Sequence, residues 1–206
     1  EITKLGSEKR EKVTYEELPQ VFVDALVATE DSRFYQHNGF DAPRFLKATV
    51  GQLLGHSDAG GASTLSMQVI KNSFTSTVSG GFAGIVRKFT DIYLAVFKLE
   101  KHYSKDEILE FYVNNHFLGG NVYGVQEASR EYFGKDVTDL NLSEAATLAG
   151  MFKSPNYYRP NANPKNATNR RNTVLYLMKK HGYITKEEYD LAKSIPVDSL
   201  TAEEST

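Results

Sequence analysis

In three segments along this chain a hydroxyl or amide side chain stands three residues ahead of a glutamate and opens a run of apolar residues at helical spacing, a pattern that fixes where a helix begins. The segments are Ser104-Lys105-Asp106-Glu107, Asn141-Leu142-Ser143-Glu144 and Thr185-Lys186-Glu187-Glu188. Each predicts a helix start, because the first side chain satisfies an orphan N–H of the first turn while the glutamate reaches back to the cap. Asp41, with Pro43 close behind, predicts another. Apolar residues recur at helical spacing in Val21, Phe22, Ala25 and Leu26, in Phe45, Leu46, Val50, Leu53 and Leu54, and in Leu65, Val69, Ile70 and Phe74. Gly55, Gly134 and Gly182 stand where helices stop. Strand-like alternation is nearly absent, so the expected fold class is mainly α, with about eight or nine helices.

With 206 residues the chain suits one domain, and residues 40–85 are expected to form a looser, apolar lobe. Ile85 to Leu99 is apolar over much of its circumference and is expected to be a central helix. Residues 1–14 read as extended with a turn at Gly6-Ser7, 75–84 as a flap or connector, and 153–164 as a loop. The polar tail, 197–206, is expected to be flexible. A formal net charge of −2 gives no global case for nucleic acid. There is no cysteine, which excludes disulfides and thiolate chemistry. No apolar run approaches the roughly 20 residues that span a bilayer.

Four clusters carry chemistry. In the first, the apolar run Val21–Val27 meets Glu30-Asp31, with Arg33 and His37 before Gly39. A carboxylate at the end of a packed helix suits a general acid or base. In the second, Gly60-Gly61 precede Ser63 and Thr64 at a helix start, with Gln68, Lys71 and Asn72 one to two turns on. Free N–H groups and hydroxyls there favour an anionic oxygen. The third is Arg87-Lys88 with Asp91, where cations beside a carboxylate suit a phosphate or diphosphate leaving group. The fourth is Tyr112-Val113-Asn114-Asn115 and the glycine loop after it. The five histidines lack close ligand spacing, so no metal site is assigned.

Taken in order, these clusters resemble the family-51 peptidoglycan glycosyltransferases, the glycan-polymerising domains of class A penicillin-binding proteins and their monofunctional relatives. The first family motif, Glu-Asp-x-x-Phe-x-x-His-x-Gly, is matched at every fixed position by residues 30–39. The others fall at Gly61–Gln68, Arg87–Asp91, Ile108–Asn114 and Gly124–Lys135, and the resemblance runs from about Tyr15 to Pro196. It implies a lysozyme-like fold with a head lobe and a smaller membrane-facing jaw, the jaw being residues 40–85. Phe40, Phe45, Leu53, Leu54, Phe74, Val78 and Phe82 would meet the bilayer surface.

The resemblance also implies a reaction. A lipid-diphosphate-linked glycan is transferred with inversion to the GlcNAc 4-hydroxyl of lipid II, and moenomycin, which mimics the donor, inhibits. Glu30 would be the general base and Asp91 would assist the leaving group. Lys71, Arg87 and Lys88 would neutralise the diphosphate. Ser63, Thr64, Gln68 and Asn72 would position sugar and phosphate, and Asp31, Arg33, His37 and Asn114 complete the substrate-binding set. No cofactor is required; a divalent cation, Mg or Mn, held through Asp91 and the diphosphate stays open. The expected partners are lipid II, the growing strand and the membrane surface, with a transpeptidase domain or other cell-wall synthesis proteins. The expected location is the outer face of the bacterial cytoplasmic membrane, with an N-terminal transmembrane anchor outside this chain.

Three positions depart from the family pattern. Asp91 replaces glutamate and is one methylene shorter, Met67 replaces the first glutamine of a pair, and residues 75–84 carry no arginine or lysine. A lysozyme-type hydrolase or lytic transglycosylase is the alternative enzyme. A lipid II binding module without catalysis is the alternative non-enzyme.

Overall fold

The computed structural model describes residues 11–55, 62–74 and 81–202, with the backbone alone for 72–74. The turn at Gly6-Ser7, Gly60-Gly61, the side chains of Asn72 and Phe74, Val78 and the flap over 75–80 lie outside the described residues. The chain forms two compact units, one of residues 1–29 and 113–206, the other of residues 30–112.

In the first unit, α1 (Gln20–Glu30) buries Phe22, Val23, Ala25 and Leu26. The centre is the helix Leu142–Met151, in which every residue from Ser143 onward is buried. Its small residues, Ala145, Ala146, Ala149 and Gly150, allow the long helix Pro164–Lys180 to lie alongside it. A Cβ on Gly150 would stand 2.7 Å from Arg170 Cγ. The Asn141–Glu144 cap forms as expected, with Glu144 N donating to Asn141 Oδ1 at 2.9 Å and Asn141 N to Glu144 Oε1 at 3.0 Å. Arg171 is buried beneath this pair of helices and donates to Ser143 Oγ (3.2 Å), the Lys193 carbonyl (3.0 Å) and the Ile195 carbonyl. It thereby ties down the segment after the helix Lys186–Ser194. The chain end is not loose as far as Ala202. Val197 is buried, and Ala202 N donates to the Tyr132 carbonyl at 2.9 Å. Within 153–164, expected as loop, Pro155–Tyr158 makes one helical turn.

The second unit begins at Glu30. Numbered onward from α1, its helices are α2 (Ala42–Leu53), α3 (Leu65–Phe74), α4 (Gly81–Leu94), a π turn at Ala95–Leu99, α5 (Glu100–His102) and the first part of α6 (Lys105–Asn115). Met67, Ile70 and Ala95 form its core, with Phe40, Ile92, Leu94 and Leu99 packed against them. Asp41 caps α2 through Arg44 N at 3.1 Å, and Ser104 and Glu107 box α6. This unit is wider than the 40–85 lobe drawn from sequence.

The Ile85–Leu99 helix is not central. It starts four residues earlier, so Phe82 and Gly84 are helical rather than in a flap, and one face of it is open to solvent. Phe82 is 81% exposed, Phe89 66% and Phe97 58%; Leu46, Val50, Leu53 and Leu54 are exposed on α2. Apolarity all round a helix signals burial in some apolar phase, and it does not say whether that phase is protein or lipid.

Gly39 ties the turn after Glu30 to the π turn. It has φ +105°, and a Cβ there would meet the Ala95 carbonyl carbon at 2.8 Å. Gly39→Ala should therefore lose about 2–4 kcal/mol through backbone strain and overpacking, read as a lower urea midpoint with an unchanged slope.

Candidate active site

The turn that follows Glu30 is built around a buried carboxylate. Asp31 is wholly buried and its Oδ2 accepts from His37 Nε2 (2.7 Å) and from the backbone N of Leu65 (3.0 Å). Gly39 N donates to His37 Nδ1 at 2.9 Å, which places the imidazole proton on Nε2. Asp31 and His37 thus hold the start of α3 in place and face each other rather than a cavity. Arg33 is exposed and lies 3.4 Å from Asp41. Thr64 is also inside: its hydroxyl donates to the Gly39 carbonyl at 2.7 Å and accepts from Met67 N at 3.1 Å, as the cap of α3.

Arg44 on α2 was not singled out in the sequence. Its Nη1 donates to the Glu30 carbonyl (3.0 Å) and, more weakly, to the Ser63 carbonyl (3.4 Å), and stands 4.0 Å from Asp31 Oδ1. One guanidinium therefore fixes Glu30 against the approach to α3, both within the second unit. The available signal was a cation on an otherwise apolar helix start.

Helices α3 and α4 enclose a cavity of about 180 Å³. From α3 come Met67, Gln68 and Lys71; from α4 come Gly84, Arg87, Lys88 and Asp91, spaced to share one face; Ser63 completes the wall. Lys88 Nζ donates to Ser63 Oγ at 2.7 Å. Arg87 is the nearer partner of Asp91, at 3.9 Å one turn away. Three cations face one carboxylate, so the cavity favours an anion.

Burial pushes the Lys88 ammonium down, and the neighbouring Lys71 and Arg44 add to this while Asp91 opposes it. Burial raises the Asp91 carboxyl, against the pull of Arg87, Lys88 and Lys71. Asp91 Oδ1 is buried without a hydrogen-bond partner among the described residues.

Glu30 ends α1, and one of its carboxylate oxygens is shielded from solvent. Burial first, and then the Glu30 charge, raise the Tyr112 phenol well above its ordinary value. Tyr112 Oη donates to Gln68 Oε1 at 2.8 Å. Tyr112 therefore links the Glu30 carboxylate to the cavity wall.

Asn114, in the first unit, is not brought into a cavity. It is buried, and its amide bridges the backbone of Val13, accepting from Val13 N at 2.9 Å and donating to Val13 O at 2.8 Å. Among the described residues no group of three or more His, Asp or Glu side chains can hold a metal ion. A lone carboxylate among three cations does not fit a resident divalent cation.

A family model described as Transglycosylase matches residues 1–179. The chain belongs to the transglycosylase family. It is 43% identical over 198 residues to penicillin-binding protein 1A/1B of Bacillus subtilis, covering 96% of this chain and 21% of that protein. It is likewise 43% identical to penicillin-binding protein 1A of Streptococcus oralis, covering 95% of this chain and 30% of that one. The crystal structure of penicillin-binding protein 1A from Haemophilus influenzae superposes with a TM-score of 0.56 at 28% identity, over 94% of this chain and 18% of that one. This transglycosylase chain thus spans a third or less of these relatives. The mainly α class and the enzyme family expected from the motifs are those found.

Asp91 holds its proton more tightly folded than unfolded, so its ionised form weakens the fold above its raised folded value, and that cost fades as pH falls from there towards the ordinary 3.8 and is gone below it. Asp91→Asn should raise the melting temperature at pH 7, and the gain should shrink on acidification, as followed by calorimetry across pH.

Proposed function

We propose that this domain polymerises peptidoglycan glycan strands, with lipid II as acceptor and a lipid-diphosphate-linked glycan as donor. The observation that carries the reading is the cationic cavity of Lys71, Arg87 and Lys88, joined to Glu30 through Gln68 and Tyr112. Glu30 takes the proton from the acceptor 4-hydroxyl as that oxygen attacks the anomeric carbon. The bond from this carbon to the diphosphate breaks, and the leaving group departs with its electron pair, so configuration inverts. Lys71, Arg87 and Lys88 receive its charge, and a partly desolvated cation stabilises developing charge more than a hydrated one. Ser63 and Gln68 orient phosphate and sugar. Asp91 tunes the cations beside it.

A lysozyme-type hydrolase needs a second carboxylate placed for water or for a covalent intermediate. Asp91 is enclosed by cations, which serves a diphosphate better than a neutral glycan. A lipid II binding module without catalysis needs no residue in the place of Glu30.

The exposed apolar side chains of α2 and of α4 support work at a membrane surface, where a lipid-linked donor resides. No helix among the described residues is long and apolar enough to cross a membrane. We place the domain at the outer face of the bacterial cytoplasmic membrane, next to a transpeptidase domain or other cell-wall synthesis partners.

Glu30→Gln should lower lipid II polymerisation by about 10²–10⁴-fold while lipid II binding persists. Wild-type turnover in that variant would refute the assignment, and shortening of finished glycan by the unmodified chain would favour the hydrolase. Phe82→Asp with Phe89→Asp should weaken sedimentation with anionic lipid vesicles by about tenfold or more, given ~1.5–3 kcal/mol per buried aromatic. Unchanged partitioning would remove this face from membrane contact.

A further inference from the structure

The first unit holds a second cavity that shares no residue with the cationic one. With Val125–Phe133 as α7, the helices already described follow as α8 (Leu142–Met151), α9 (Pro155–Tyr158) and α10 (Pro164–Lys180). A groove of about 310 Å³ lies between α9 and one face of α10, with Lys153 from the end of α8 on its rim. Asn166, Asn169 and Arg170 recur at helical spacing on α10, so one polar stripe faces the rings of Tyr157 and Tyr158.

The walls are fastened without any ligand. Asn166 Nδ2 donates to the Tyr157 carbonyl at 3.3 Å, and Asn163 Nδ2 to the Asn156 carbonyl at 3.0 Å. Arg170 Nε donates to the Gly150 carbonyl at 3.1 Å, and its guanidinium lies 5.6 Å from the Tyr158 ring centre. The two tyrosine rings meet edge to face at 4.9 Å. A groove fixed in this way loses little entropy on binding.

The groups left facing the groove are chemically specific. Tyr157 is 55% exposed and offers a flat apolar ring with a hydroxyl at its rim. The Asn169 side-chain amide and the Lys153 ammonium have no hydrogen-bond or ion-pair partner among the described residues. No carboxylate lines the groove, so its two cations give it a net positive lining. An aromatic platform, an open amide and the Lys153 ammonium recognise a pyranose ring, its hydroxyl or acetamido groups, and an acid on it.

We propose that the α9–α10 groove is a binding site for an acidic saccharide, a sugar chain bearing carboxylates, distinct from the site of glycosyl transfer. Its ligand is held by ring stacking on Tyr157, hydrogen bonds from Asn169, and an ion pair to Lys153. Because it requires no lipid and no diphosphate, it operates on soluble glycan.

The test is nitrogen–proton correlation NMR of the whole chain, titrated with two oligosaccharides of equal length. One is an N-acetylglucosamine oligomer; in the other, alternate sugars carry a carboxylate. The acidic oligomer should shift α9 and α10 signals saturably, and the neutral one should bind at least about tenfold more weakly. Lys153→Glu and Tyr157→Ala should each weaken the acidic oligomer by about tenfold or more. Glu30→Gln should leave its affinity unchanged. Should Lys153→Glu fail to fold, Lys153→Gln should weaken binding in the same direction. Equal affinity for the two oligomers, the absence of saturable shifts, or indifference to the Lys153 charge overturns the proposal. A chain that polymerises lipid II but ignores the acidic oligomer refutes this site alone, and one that binds the oligomer but never polymerises refutes only the catalytic reading.

Discussion

The second unit depends on a carboxylate removed from water. Asp31 is fully buried, and a buried carboxylate is tolerated only when it is paired and hydrogen-bonded. His37 and the Leu65 amide bond its Oδ2, while Oδ1 has no hydrogen-bond partner among the described residues and faces the Arg44 guanidinium at 4.0 Å. They also decide where the chain goes: Asp31 follows directly on Glu30, and accepting from Leu65 N brings the start of α3 to that turn. Arg44 completes the arrangement by holding the carbonyls of Glu30 and Ser63. The position of Glu30 near the cavity of α3 and α4 is a consequence of satisfying Asp31.

That arrangement separates residues that touch a ligand from those that place them. Glu30, Ser63, Gln68, Lys71, Arg87, Lys88 and Asp91 flank or line the cavity or communicate with it. Asp31, His37 and Thr64 lie behind it, and Asn114 serves the backbone of Val13. All belong to the clusters singled out in the sequence. A short motif reports that the positions are needed together; it does not say which of them face outward. Only burial distinguishes Thr64, a cap, from its neighbour Ser63, a partner of Lys88.

Much of the fold was legible because its signals are local. The boxes at Ser104, Asn141 and Thr185, the cap at Asp41 and the stop at Gly134 depend on residues within one turn, and each is found. What was not legible depends on distant partners. Arg44 bonds residues 14 and 19 positions away, and Arg171 reaches carbonyls more than 20 residues on. The tail beyond Pro196 looked polar, yet Val197 fills the core and Ala202 finds the Tyr132 carbonyl. The helix from Ile85 was misplaced for a different reason. Hydrophobic pattern measures the wish to leave water, and the destination is not written in it.

The exposed apolar side chains of α2 and of α4 have a practical corollary. Phe82, Phe89 and Leu53 each leave most of a large apolar side chain in water. In plain buffer the domain will shield them with whatever amphiphile or sister molecule is at hand. Its sedimentation behaviour will therefore follow the detergent chosen, and self-association seen without detergent will report this surface rather than a built assembly.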